Sequence, residues 1–279
     1  MPFKTILAII QTNDDVERVL DCAIGLAGDF DSHVIGLHSE ALPMPYTSAV
    51  GFPDTEFLQI TVEANKERAD RLQSVFNTRM QETGIPFEWR SLESFSGDSA
   101  ISGVSSARSA DLVLVAQANP EGESGVAIDV DALLFDAGRP VLITPHAGPT
   151  LHTFRKVLIA WNGSKEAARA TFDALPFIEN AERTEILVID PPDSYEEDSA
   201  TAGTEIAAAL TRHGAKVSVV TEKTDGSSVE EVIKSRIAET DADLLVLGAY
   251  THSWFRQFLF GGTTRSVLQS MPIATLLSR

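Results

Sequence analysis

The residues with the clearest chemical potential lie late in the chain, where Gly261-Gly262-Thr263-Thr264 directly precedes the helical pattern Ser266-Val267-Leu268. A glycine turn that opens a helix presents unpaired backbone N–H groups. With two hydroxyls beside them, those groups suit an anion such as a phosphate. Upstream, the apolar run Leu244–Leu247 stops at Gly248, so strand, loop, glycine turn and helix start follow one another. A turn and cap without any ligand is the competing reading. A second polar group, Asn162-Gly163-Ser164, follows the apolar run Val157–Ala160. Here too two readings stay open: Ser164 caps a helix through the Ala167 amide, or Asn162 directs its side chain at a ligand. Between Gly248 and Gly261 stand His252, Trp254, Phe255 and Arg256. Arg256 either neutralises an anion or lies in solvent. A catalytic His252 would need a partner and a nucleophile, and the sequence offers no such set. The histidines lack zinc-type spacing, so no metal site of that kind is expected.

These residues must be positioned by alternating strands and helices. Lys4–Ile10 is a strand pattern, and the next stretch has Val16, Val19, Leu20, Ala23, Ile24 and Ala27 at helical spacing with a stop at Gly28. His33–His38 is a strand, Thr61–Thr83 a long charged helix, and Phe87–Leu92 a strand. Ser99–Ser109 is a helix, Asp111–Ala116 a buried strand, Val126–Ala137 a helix, and Arg139–Pro145 a closing strand. After a polar linker at Ala147–Thr153 the pattern restarts. Arg155–Ala160 is followed by a helix at Ser164–Leu175, and the strand Glu185–Ile189 by a helix at Thr201–His213. Lys216–Thr221, Val229–Ala238 and Asp243–Leu247 continue the alternation, and a helix and the terminal strand Ile273–Leu277 end it.

The order repeats at a period of about 150 residues. Phe3-Lys-Thr-Ile-Leu-Ala matches Phe154-Arg-Lys-Val-Leu-Ile-Ala, and Ser109-Ala-Asp-Leu-Val-Leu matches Asp241-Ala-Asp-Leu-Leu-Val. Arg139-Pro-Val-Leu-Ile-Thr pairs with Met271-Pro-Ile-Ala-Thr-Leu. Continuous apolar strands between helices require a parallel sheet covered on both faces. The fold class is therefore α/β: two open, doubly wound, Rossmann-like domains in tandem, 1–147 and 154–279. Ligands go to the C-terminal ends of such strands.

Composition narrows the function classes. Forty acidic against 22 basic residues give a net charge of −18, which opposes nucleic-acid phosphates and anionic lipid. No stretch has the ~20 apolar residues of a membrane span. Met1-Pro-Phe-Lys-Thr leads straight into a strand pattern, so a cytoplasmic location is expected. Cys22, the single cysteine, is expected to be a small buried apolar residue.

The tandem β-α repeat, Asn162-Gly163-Ser164 after its strand, and Leu247-Gly248 followed by Phe260-Gly-Gly-Thr-Thr-Arg resemble the universal stress protein (UspA) family. The resemblance spans the chain, specifically in its second half and topologically in its first, and it implies an adenine nucleotide alpha hydrolase-like fold. It further implies a regulatory, ATP-binding role in the stress response through the second domain, with Mg²⁺. A hydrolase or kinase using ATP is a third reading, for which the sequence offers neither a Walker-type lysine nor a catalytic carboxylate with a positioned nucleophile, so weak ATP hydrolysis at most is expected. ATP-binding members carry a phosphate loop in which Gly248 and Gly261 match the first and third glycines. Thr251 stands at the middle glycine and Gly262 at the Ser/Thr position, with Thr263 and Thr264 directly after. Asn162 replaces the usual acidic residue, and adenine is expected near Ile189-Asp190. The implied set is thus Asn162, Asp190, Leu247, Gly248, Thr251, Gly261, Gly262, Thr263 and Thr264. The first half has Gln11-Thr12-Asn13 and an acidic loop at these places, and is expected to bind no nucleotide. The competing function is an interaction or scaffold protein without nucleotide. The terminal strand is expected to pair with Pro140–Thr144, so that one chain mimics a family dimer, with a further homodimer open.

Overall fold

A computed structural model describes residues 2–43, 55–119, 128–191, 203–249 and 271–279. The first half runs β1 (Thr5–Ile9), α1 (Asn13–Phe30), β2 (His33–Ala41), α2 (Thr55–Gln81), β3 (Phe87–Ser94), α3 (Ser99–Ala107), β4 (Leu112–Ala116), α4 (Val130–Asp136) and β5 (Val141–Thr144). The second half runs β6 (Lys156–Trp161), α5 (Lys165–Asp173), α6 (Leu175–Ile178), β7 (Arg183–Ile189), α7 (Thr204–Arg212), β8 (Val217–Glu222), α8 (Val229–Thr240), β9 (Leu244–Gly248) and β10 (Ala274–Ser278). The helix expected after the glycine turn falls outside the described residues.

The sheet is mixed and ten-stranded, in the order β3-β2-β1-β4-β5-β10-β9-β6-β7-β8. All neighbours are parallel except β5 and β10, which run antiparallel with Leu276 opposite Leu142. The expected pairing of the last strand with the end of the first half is therefore present. It joins two five-stranded sheets, foreseen as open, into one. β1, β4, β5, β9 and most of β2 are buried on both sides, as their unbroken Val, Leu and Ile runs require. One apolar layer packs α1, α2, α5, α6 and α7 against one face of the sheet; the other packs α3, α4 and α8 against the opposite face.

Several boundaries differ from the sequence pattern, each for a local reason. α1 continues through Gly28 because a capping box at Thr12 and Asp15 starts it and Asp31, in the left-handed region at φ 52°, ends it. α2 begins at Thr55, six residues before the pattern suggested, since its first turns are largely exposed and carry little apolar periodicity. α6 was not foreseen at all: Pro176 opens a single turn that serves mainly to place Phe177.

The repeat has a structural register of its own. Asp111 accepts from the Lys4 and Thr5 amides at 2.8 and 2.9 Å, and Asp243 accepts from the Arg155 and Lys156 amides at 2.8 and 2.9 Å. Each carboxylate ties the start of one strand to the next strand over. Val113 pairs with Val141, whereas its equivalent Leu245 pairs with Thr275. Val141 thus corresponds to Thr275, two residues beyond the Ile273 that sequence matching selected. The correction places Leu142 and Leu276 as equivalents facing each other, on the pseudo-twofold axis.

At this same end of the strands the halves meet through four phenylalanines. Phe177 lies with ring centroids 5.1 Å from Phe3, 5.1 Å from Phe154 and 6.0 Å from Phe30. Phe3 and Phe154 are repeat equivalents, so one aromatic cluster closes around the axis. Phe177→Ala should cost about 3–5 kcal/mol in urea unfolding followed by circular dichroism. Because the cluster belongs to both halves, the loss should appear as a single shifted transition.

Candidate functional site

In the second half the strand order reverses its direction of growth at β6, whose neighbours are β9 and β7. In doubly wound sheets the crevice opens there, outside the strand C-termini. Two chain segments meet at this point. After β6, Gly163 turns the chain at φ 71°, and the Asn162 side-chain oxygen accepts from the Ser164 amide at 3.2 Å. The Ser164 hydroxyl accepts from the Ala167 amide at 3.1 Å and caps α5. The capping reading of Ser164 therefore holds, and Asn162, which is exposed, shapes the turn leading into the cap.

β9 ends against that same helix start. A Cβ on Gly248 would sit 2.3 Å from the Ala167 nitrogen and 2.5 Å from the Glu166 carbonyl carbon. Those are backbone atoms of the first turn of α5, so no side chain can be accommodated. The family resemblance implies that Gly248 is the first glycine of a phosphate loop. The structure gives it a prior reason, the approach of strand to helix. Leu247, beside it, is buried in the core. Glu166, which sequence reasoning passed over, is only 6% exposed and has Lys165 Nζ at 3.6 Å. A carboxylate in the first turn of a helix is favoured by the helix dipole.

Asp190 is placed differently from the rest. It follows β7 in the left-handed region at φ 46°, exposed, and its carboxylate accepts from Thr224 Oγ1 at 2.6 Å and the Thr224 amide at 3.1 Å. Those hydrogen bonds hold its carboxyl below the usual range. Its described contacts thus lock it to the exit of β8. Thr251, Gly261, Gly262, Thr263 and Thr264, like His252, Trp254, Phe255 and Arg256, lie outside the described residues.

The corresponding edge of the first half is occupied by its own side chains. Gln11 stands where Asn162 does. Its Nε2 donates to the Gly97 carbonyl at 2.9 Å, and its Oε1 accepts from the Ser99 amide at 2.8 Å. Ser99 Oγ donates to the Ile10 carbonyl at 3.1 Å and accepts from the Ser39 amide at 2.9 Å. Asp98, 3% exposed, caps α3 through Ala100 at 2.7 Å and accepts from the Asp129 amide at 2.8 Å. Hydrogen-bonding capacity on this edge is spent within the chain.

Next to it lies a buried charged group. His38, fully buried, has Nδ1 2.9 Å from the Ile10 carbonyl and Nε2 2.9 Å from Glu40, while Arg68 from α2 grips Glu40 through two nitrogens. Burial pushes the Glu40 carboxyl up, but the hydrogen bonds from His38 and Arg68 outweigh it and leave it below the usual range. Cys22 is buried, and burial raises its thiol to about 12, in keeping with a packing role. Among the described residues no cluster of three or more His, Cys, Asp or Glu could hold a metal, and no helix is long and apolar enough to cross a membrane.

The architecture defines a class: a pseudo-symmetric pair of doubly wound α/β sheets, with a crevice at the switch point of the second. Within that class, residues 153–279 match the model of the Universal stress protein family. Over its length the chain is similar in structure to a universal stress protein from Archaeoglobus fulgidus, at 17% identity and a TM-score of 0.63, with 98% of this chain and 96% of that one covered. It is also similar to a protein of Pseudomonas aeruginosa UCBPP-PA14 provisionally named a universal stress protein, at 18% identity and a TM-score of 0.64, covering 99% and 93%. At such identities the likeness bears on the fold, and it extends over both halves. No curated protein matches the chain.

Two outcomes check this geometry. Gly248→Ala should lower stability by about 1–3 kcal/mol in urea unfolding, with no ligand present, because backbone must move to admit the methyl. For Glu40 the depressed carboxyl sets the sign. Its stabilisation is present above the unfolded value of about 4.3 and is lost as pH falls through the lower folded value. A Tm series between neutral and strongly acidic pH should therefore fall less steeply in Glu40→Gln than in the parent protein.

Proposed function

We propose that the protein is a nucleotide-binding regulator of the universal stress protein type, which holds an adenine nucleotide on its second half. The observation that carries this reading is the meeting of the Asn162–Ser164 turn with Gly248 at the switch point, in the half that matches the family. In this proposal Asn162 hydrogen-bonds ribose or phosphate, and the backbone from Leu247 and Gly248 leads into the loop. Thr251, Gly261, Gly262, Thr263 and Thr264 supply amides and hydroxyls to the phosphates, and the Asp190 side of the crevice receives adenine. Mg²⁺ fits this donor set as an ion carried by the phosphates, since magnesium commonly keeps waters and takes few protein ligands. Its charge would offset Glu166 and the net charge of −18. The tandem halves, 1–147 and 154–279, would act together in the cytoplasm as a single-chain equivalent of a dimer. The role is regulatory, since neither a Walker-type lysine nor a nucleophile with a positioned base appears in the sequence.

Isothermal titration with MgATP and MgADP tests the proposal. Binding at micromolar nucleotide is expected, and Asn162→Ala should weaken it by about tenfold, equivalent to ~1.4 kcal/mol. Absence of heat up to high micromolar nucleotide would sink it. Tight binding that appears only in Thr251→Gly would instead favour a nucleotide-free interaction protein, because a Cβ at 251 would then be what excludes phosphate.

A further inference from the structure

A buried charged group of the first half takes no part in the proposed site, and its hydrogen-bond geometry fixes how many protons it holds. His38 is fully buried in β2, with Nδ1 2.9 Å from the Ile10 carbonyl and Nε2 2.9 Å from Glu40 Oε1. A carbonyl can only accept, so Nδ1 carries a hydrogen. The contact with Glu40 needs a second proton, on Nε2 or on the carboxyl. Arg68 decides between them. Its Nε donates to Oε1 at 2.7 Å and a second guanidinium nitrogen donates to Oε2, a two-point grip that favours the carboxylate. The second proton therefore belongs to Nε2, and the ring is an imidazolium between a carbonyl and a carboxylate.

Taken element by element, the charged groups around this ring leave Glu40 as its acidic partner among the described residues. β1 presents backbone at Ile10. From α1, Asp15 is turned to the Gln11 and Thr12 amides at 3.3 and 2.8 Å. From β3, Ser91 and Glu93 stand in register with His38 and Glu40, and both are exposed. Arg90 pairs with Glu88 and reaches Ser106 of α3, on the other face of the sheet. On that face Asp98 accepts from the Ala100, Ile101 and Asp129 amides. α2 supplies Arg68 and also Asn65, whose Oδ1 accepts from Arg68 at 2.9 Å and whose Nδ2 donates to the Ala41 carbonyl at 2.8 Å.

These contacts fasten a helix to a strand end. Residues 56–71 of α2 are half-buried or exposed, whereas Leu72, Phe76 and Met80 further along are fully buried. We propose that His38, Glu40 and Arg68 form a proton-operated latch, which holds the first part of α2 on the end of β2 while His38 is doubly protonated and releases it when the Nε2 proton leaves. Without that proton the Nε2 lone pair faces a carboxylate oxygen. Glu40 is then pushed off the ring, and Arg68, bonded to both its oxygens, moves with it. The latch is closed at lower pH and opens as pH rises. Imidazole suits the task, because its ordinary titration falls in the range that cells traverse. Nothing in the device depends on a nucleotide on the second half.

Hydrogen exchange followed by mass spectrometry tests it on the full, ligand-free chain, with rates corrected for the intrinsic pH dependence of exchange. From mildly acidic to mildly alkaline pH, protection in peptides within 56–71 is expected to fall by at least about fivefold, while peptides within 72–81 keep theirs. His38→Gln, which cannot take up the proton, is expected to give a flat profile over the same range. If His38→Gln fails to fold, Arg68→Gln takes its place at the partly exposed end of the group. Its 56–71 peptides should show the low protection at every pH. Protection of 56–71 that does not change with pH in the parent protein overturns the inference. So does a pH-dependent loss of the same size in whichever variant folds, because another group would then be the sensor.

Discussion

The antiparallel contact of β5 with β10 is the constraint on which the rest of the molecule depends. Each of these strands would otherwise end its sheet with a row of unpaired N–H and C=O groups, a liability that sheets avoid by pairing or covering their edges. Here each strand covers the other. The register is symmetric, with Thr275 opposite Ile143, Leu276 opposite Leu142 and Leu277 opposite Val141. With β5 and β10 buried along their length, the halves share a core as well as a ladder. Separating them would expose two apolar strands and uncover Phe177, so the pair behaves thermodynamically as one unit.

Symmetry in the backbone does not extend to the two crevices. In the first half, Gln11, Ser39, Asp98 and Ser99 exchange hydrogen bonds across the strand ends, and Gly97 presses against Ala41, where a Cβ would meet the Ala41 nitrogen at 2.7 Å. In the second half, the same place holds a short Asn-Gly-Ser turn and a glycine strand end. The difference comes down to side-chain length and polarity at equivalent positions. An amide one methylene longer at Gln11 reaches across to Gly97 and the start of α3, whereas the Asn162 side-chain oxygen accepts from the Ser164 amide of its own turn. One edge is thereby internally satisfied, and the other keeps its polar residues at the surface.

The acidic character of the chain bears on the same contrast. Glu166 and Asp190 are both acidic and both have local structural roles, one in the first turn of α5 and one in a latch to Thr224. An anionic ligand at this place therefore fits best together with a cation. That is a matter of charge balance.

Much of this was legible in the sequence. Alternating apolar runs and helical spacings gave the α/β class and the order of elements. The repeated Ala-Asp-Leu phrase marked the equivalent strands, and Asn162-Gly163-Ser164 marked a helix cap, because each depends on residues close in the chain. Gly248 was legible as a special position, but the reason for it was not: the atoms a Cβ would strike belong to Glu166 and Ala167, some eighty residues earlier. The two-residue offset of β10 was hidden because Pro140 and Pro272 invite an alignment that ladder hydrogen bonds override. The placement of α6 and of the His38–Glu40–Arg68 group was decided by tertiary structure alone. Each is defined by partners that only the packing of distant strands and helices brings within hydrogen-bonding or van der Waals reach.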